Sequence, residues 1–136
     1  MEVRRITTAD VPELPTATWT NALRIGDEIV MSGMTAHPAT RQAQEPMGAY
    51  AQTLEVLRKL VAYVEAAGGS RHNLYKLVIY LTDIADKDEV GRARRDFFQA
   101  PYPCSTLVEV KGLVFPELKV EIDAWARLDV DLSRCA

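Results

Sequence analysis

The stretch Pro103-Cys104-Ser105-Thr106-Leu107-Val108-Glu109-Val110, followed by Lys119-Val120-Glu121-Ile122-Asp123-Ala124, decides how this chain is read. Each segment alternates in the manner of a strand, and together they predict two strands joined by a turn. In residues 119–127, Val120, Ile122, Ala124 and Ala126 fall on one face, and Glu121, Asp123 and Trp125 on the other. The first face is expected to meet helices. The second combines a tryptophan with two acids, which suits neither a plain core nor open solvent, and predicts a subunit interface.

Upstream, Leu74 to Asp83 contains the continuous apolar run Leu77-Val78-Ile79-Tyr80-Leu81, expected of a central strand covered on both faces. Between it and Pro101 lies a predicted helix, Lys87 to Gln99, capped by Asp86 and burying Val90, Ala93, Phe97 and Phe98. A longer helix begins near Gly48. Its face is marked by Tyr50, Leu54, Leu57, Val61 and Val64 and widened by Val56, Leu60, Tyr63 and Ala67, and Gly68-Gly69 ends it. Trp19 to Ile25 and Glu28 to Gly33 read as a hairpin around Gly26-Asp27. Residues 34–46 read as a loop, and residues 1–14 as a polar N-terminal extension without regular structure, broken by Pro12 and followed by Pro15. The expectation is one α+β domain over residues 1–136, in the order β-β-α-β-α-β-β. Two helices should cover one face of a mixed sheet.

With 136 residues, 48% of them apolar, the chain is long enough to bury a real core. Its 16 basic and 19 acidic residues give a formal charge of -3, and the only basic clusters are Arg4-Arg5 and residues 92–95. These read as solvated faces, and no nucleic-acid partner is expected. Two cysteines make no disulfide framework. Neither a signal-peptide core nor a run of apolar residues long enough for a membrane span is present, so the expected location is cytoplasmic, without membrane contact. His37 and His72 are the only histidines, and neither has metal-ligand spacing. No metal and no cofactor are expected; Gly68-Gly69 follows a helix, where a phosphate loop would open one.

Glu121 is the best single candidate for chemistry. Flanked by Val120 and Ile122, it is either an acid of raised pKa that holds a water, or a partly buried acid paired to lysine or arginine. Glu109 has the same two readings. Cys104 is reactive only beside a positive group or helix N-terminus, and is otherwise incidental. Ser105 and Thr106 either donate hydrogen bonds to a ligand or fill polar strand positions. Trp19 and Tyr102, near strand ends, suit the lining of an apolar pocket or ordinary packing.

From Trp19 to Leu128 the chain resembles the RidA/YjgF family of reactive-intermediate deaminases. The resemblance rests on Ala22-Leu23-Arg24-Ile25-Gly26-Asp27, Met31-Ser32-Gly33, Val64-Glu65-Ala66-Ala67-Gly68-Gly69 and the two C-terminal strands. It implies a chorismate-mutase-like fold and a homotrimer with pockets for a small-molecule ligand between neighbouring subunits. It also implies cofactor-independent hydrolysis of imines or enamines to a carbonyl product and ammonia. By position it makes Glu121 the catalytic, water-placing residue. It puts Trp19 where a pocket tyrosine is usual, Met34 where glutamine is frequent, and Ser105 where deaminating members carry an arginine that forks onto the substrate carboxylate. Serine makes no bidentate, charge-assisted contact. The departures predict a more apolar pocket, also lined by Cys104 and Thr106, and a poor fit for simple 2-imino acids. A non-catalytic ligand-binding protein on the same scaffold is the alternative. The ribonuclease activity ascribed to the family is disfavoured by the acidic balance.

Overall fold

In the computed structural model, which describes residues 1–136, Val3–Arg5 (β1) lies antiparallel to Ala22–Ile25 (β2). β2 turns through Gly26-Asp27 into Glu28–Met34 (β3), with Ala22 opposite Met31 and Ile25 opposite Glu28. A single turn, Ala39–Gln42 (α1), precedes the long helix Ala49–Ala66 (α2). Then come Leu74–Leu81 (β4), Lys87–Phe97 (α3), Cys104–Glu109 (β5) and Val120–Arg127 (β6). The sheet order is β1-β2-β3-β6-β4-β5. Every neighbouring pair is antiparallel except β4 and β5, which α3 joins as a parallel crossover.

The α+β layering follows from the apolar faces. Val120, Ile122, Ala124 and Ala126 of β6 are fully buried, as are Val56, Leu57, Leu60, Tyr63 and Val64 of α2. They join in one core with Ile29, Leu77 and Ile79 from the flanking strands. α2 stops where the sequence requires: Gly68 takes φ +94°, and Gly68 and Gly69 return their N–H groups to the carbonyls of Glu65 and Val64 at 2.9 Å each.

Several expectations are corrected. The two C-terminal strands are not neighbours: β4 lies between them, β5 occupies the sheet edge, and β6 sits near the middle. A parallel pair needs a crossover, and the helix that supplies it precedes β5, leaving the long 110–119 connection to carry the chain past β4. Residues 1–14 are not a plain extension, since β1 joins the sheet and Ile6 and Val11 enter the core. The 34–46 segment contains α1, and Met34 itself closes β3. Trp19 precedes its strand and is 57% exposed. Asp86 occupies the N-cap position of α3 without a side-chain cap; the neighbouring Asp83 caps the preceding short turn, accepting from the N–H of Ala85 at 2.9 Å. No helix of the chain is long and apolar enough to cross a membrane.

Candidate functional site

Glu121 faces away from the helices into a cleft of about 790 Å³. β6 fixes its position, being hydrogen-bonded to β3 on one side and β4 on the other. Its entry is pinned by Gln52, a fully buried residue of α2. The Gln52 amide donates to the carbonyls of Met47 and Glu117 at 2.8 and 3.0 Å and accepts from the N–H of Lys119 at 2.9 Å. The carboxylate lies across Gly33, where an added Cβ would come within 3.0 Å of Glu121 Cδ and 2.9 Å of Asp123 Oδ1. Glycine at the end of β3 is therefore what lets the two acids occupy that space.

The electrostatics of Glu121 follow from this seat. Burial, reinforced by the like charge of Asp123, holds its carboxyl above the usual carboxylate range. Asp123 takes a hydrogen bond from Tyr80 Oη at 2.9 Å, whereas Glu121 has no lysine or arginine partner. The one ammonium lining the cleft, Lys59, donates to the carbonyls of Thr35 and His37 at 2.8 and 2.9 Å. Burial holds Lys59 below the ordinary lysine range. Lys59 thus ties down the loop after β3, and the carboxylate is left free for an external partner.

A polar relay, anchored on the buried Tyr63, joins several other lining residues. Arg5 pairs with Glu13; Tyr63 Oη donates to Glu13 Oε1 at 2.9 Å; Asn21 Nδ2 donates to Tyr63 Oη at 2.8 Å; and the Trp19 indole N–H donates to Asn21 Oδ1 at 2.9 Å. Burial pushes the Tyr63 phenol up to about 12, so it remains a donor at neutral pH. The relay orients the Trp19 ring at the rim, beside Leu14 and Val114, which are 66% and 72% exposed. His37 sits deeper against Phe115, with ring centroids 4.6 Å apart, and its buried Nδ1 has no partner. A smaller hollow of about 350 Å³ near the β2–β3 turn is lined by Glu2, Arg4, Arg24, Gly26 and Asp27 and gathers no comparable group.

The structure brings together only part of the set read from the sequence. Glu121, Trp19 and Met34 line the cleft. Cys104, Ser105 and Thr106 lie on β5, two strands away, and Tyr102 lies outside the cleft. Ser105 is opposite Leu77 and thus level with Ala124, while Glu121 is level with Tyr80 and Val108. Two strand spacings and three residues along put the two positions roughly 14 Å apart. They also face opposite sides of the sheet, so one chain cannot close a pocket around both. Glu109, the other acid considered, accepts from the N–H of Ile84 at 2.9 Å and serves the turn after β4. Gln52, Asn21 and the Glu13–Tyr63 pair were not singled out from sequence. Lys59 was readable in principle, since it interrupts the apolar face formed by Val56, Leu60 and Tyr63.

Two longer helices on one face of a six-stranded mixed sheet, with a carboxylate free of any cationic partner in an apolar-rimmed cleft, define a small α+β domain with a candidate ligand site. The chain belongs to the endoribonuclease L-PSP family, the RidA/YjgF family, whose model matches residues 10–128. It is 33% identical over 124 residues to the RutC family protein y4sK of Sinorhizobium fredii, covering 90% of this chain and 95% of that one. A Dermatophagoides farinae protein named 2-iminobutanoate/2-iminopropanoate deaminase is 22% identical over 124 residues, with 91% and 96% covered. Among solved structures, PA3499 of Pseudomonas aeruginosa, described as of unknown function, is similar at 63% identity with a TM-score of 0.96, 99% of each chain being covered. RidA from the Antarctic bacterium Psychrobacter is similar at 27% identity and a TM-score of 0.81, over 91% of this chain and 98% of that one.

Proposed function

We propose that the protein is a cofactor-independent hydrolase of the deaminase type, acting on a small imine, enamine or carbonyl compound, with Glu121 placing the attacking water. The observation that carries this reading is the Glu121 carboxylate, held above the usual range in a cleft and free of any cationic partner. In the reaction, water adds to the C=N carbon while Glu121 accepts its proton. That proton passes to nitrogen to give a carbinolamine; Glu121 then takes the carbinolamine hydroxyl proton and passes it to the amino nitrogen, the C–N bond breaks, and ammonia leaves as the carbonyl forms. The mite relative's name supports an imine as the substrate class.

The complete pocket is proposed to lie between subunits of a cytoplasmic homotrimer, with the β5 edge of one copy closing the cleft of the next. The separation of Ser105 from Glu121 within one chain supports this, as does the exposed apolar rim of Leu14, Trp19 and Val114. Light scattering should give three times the chain mass of 15.2 kDa. Ser105 alone does not fork a carboxylate, and Met34 and Trp19 add apolar lining, so simple 2-imino acids held only at position 105 are not the proposed best substrates.

Ammonia release from freshly generated imines, both charged and neutral, tests the chemistry. Release that survives Glu121→Gln unchanged removes the assignment. A second reading, a non-catalytic ligand-binding protein on the same trimer, is favoured by Ser105. Saturable binding with no ammonia from any imine would support it.

A further inference from the structure

Arg94, near the end of α3, donates from Nη1 to Ser105 Oγ at 2.7 Å. The guanidinium is half-buried, and burial alone acts on it, lowering its pKa; no acid stands close enough to raise it. The nearby carboxylates are engaged elsewhere, Asp96 with Tyr50 Oη at 2.6 Å and Glu109 with the Ile84 N–H. A guanidinium stays charged at any ordinary pH and carries five N–H donors. Withdrawing such a group from water without an anion is unfavourable, so its placement calls for one.

The strand beneath it presents matching donors. β5 is the sheet edge and pairs only with β4. Val110 donates its N–H inward to Leu81 at 2.7 Å, so by alternation the N–H groups of Ser105 and Leu107 point to the free edge. Ser105 Oγ accepts from Arg94 and keeps its own proton to give. On the opposite face Lys76 Nζ donates to Thr106 Oγ1 at 3.1 Å, adding positive potential at the same edge.

We propose that Arg94, Ser105 Oγ and the outward N–H of Ser105 form an anion site for the carboxylate of a small organic acid. The planar fork of one guanidinium matches a planar carboxylate better than a phosphate, which would draw a second cation on that face. Positive charge at position 105 is therefore supplied by the helix, from a residue eleven positions upstream. The connection of this site to Glu121 of a neighbouring copy rests on the reading under Proposed function; the anion site itself does not.

Calorimetric titration with 2-oxobutanoate, 2-oxobutanamide and inorganic phosphate tests it. The unaltered protein should bind the keto acid more tightly than the neutral amide. Arg94→Gln should weaken keto-acid binding at least about tenfold and leave amide binding unchanged, the loss of one charge-assisted contact. Arg95→Gln, the same charge change on the exposed side of α3, should leave both unchanged. Adding Ser105→Arg to Arg94→Gln should restore the preference, which shows that loss in the single variant is not misfolding. The proposal is overturned if Arg94→Gln binds the keto acid within twofold of the parent, if the parent shows no saturable keto-acid binding, or if phosphate binds more tightly. Arg94-dependent binding without any turnover would leave this site standing and remove the hydrolytic reading. Glu121-dependent ammonia release indifferent to Arg94 would do the reverse.

Discussion

β6, which carries Glu121, and β5, which carries Ser105, are built on opposite terms. β6 is hydrogen-bonded on both sides, and alternate residues of it are fully buried. β5 pairs on one side only, and every residue of it but Leu107 is exposed. A group on β6 therefore has a fixed position and a desolvated environment, which is what a carboxylate of raised pKa requires. A group on β5 contributes little to stability and is easily exchanged, and its charge can arrive from a neighbouring element, as Arg94 does from α3. On the reading under Proposed function, the difference assigns chemistry to the central strand and recognition to the edge, where a side chain is replaced at little cost to the fold.

The sharpest way to break this division is Glu121→Gln. If β6 carries the chemistry, turnover of any imine found to be a substrate should fall by about 100-fold or more, the contribution typical of a positioned acid–base group. A residual rate within a few-fold of the parent would move the chemistry elsewhere. Gly33→Ala tests the seat of that carboxylate instead of its identity. The new Cβ, within 3.0 Å of Glu121 Cδ, makes the carboxylate shift by several tenths of an ångström. Turnover should drop roughly tenfold from misplacement, while thermal unfolding shows a loss of only about 1 kcal/mol, because flexible side-chain ends can move aside. A stability loss as large as a core cavity would mean that β3 and β6 had separated.

Ser105→Ala probes the other half. On an exposed edge strand it should change stability by no more than about 0.5 kcal/mol, read from denaturant unfolding. A larger loss would show that β5 is braced through Arg94 and that the contrast with β6 is overdrawn.

The same contrast explains what the sequence made legible. The alternation of Val120, Ile122, Ala124 and Ala126 and the helical stripe of α2 are local patterns imposed by burial, and both were read close to their true limits. β1 escaped because three exposed residues carry no apolar period. The pairing order escaped because adjacency along the chain suggests a hairpin for β5 and β6, whereas strand insertion is decided by long-range packing. Glu121, Trp19 and Met34, singled out through the family resemblance, are found lining one cleft. The links Tyr63–Glu13, Gln52–Lys119 and Arg94–Ser105 join residues 50, 67 and 11 positions apart, and polar contacts at such separations leave no periodic trace.

The smallest effect expected is also the most diagnostic of the β6 environment. Burial and Asp123 raise the folded-state pKa of Glu121 above its unfolded value, so the folded chain holds that proton more tightly. The resulting stability is fully present below the unfolded pKa and is lost as pH rises through the folded one. At neutral pH the ionised Glu121 is thus a net cost to the fold. Glu121→Gln, which abolishes that ionisation, should raise Tm near pH 7 by about 1 °C, with the gain shrinking toward zero in acid below the ordinary carboxylate range. The acid limb of the turnover profile should lie above that range too, because the proposed water-placing form is the carboxylate. A Glu121→Gln variant that loses activity but gains no stability at neutral pH would place the carboxylate in water. The burial that separates β6 from β5 would then not extend to the reacting group.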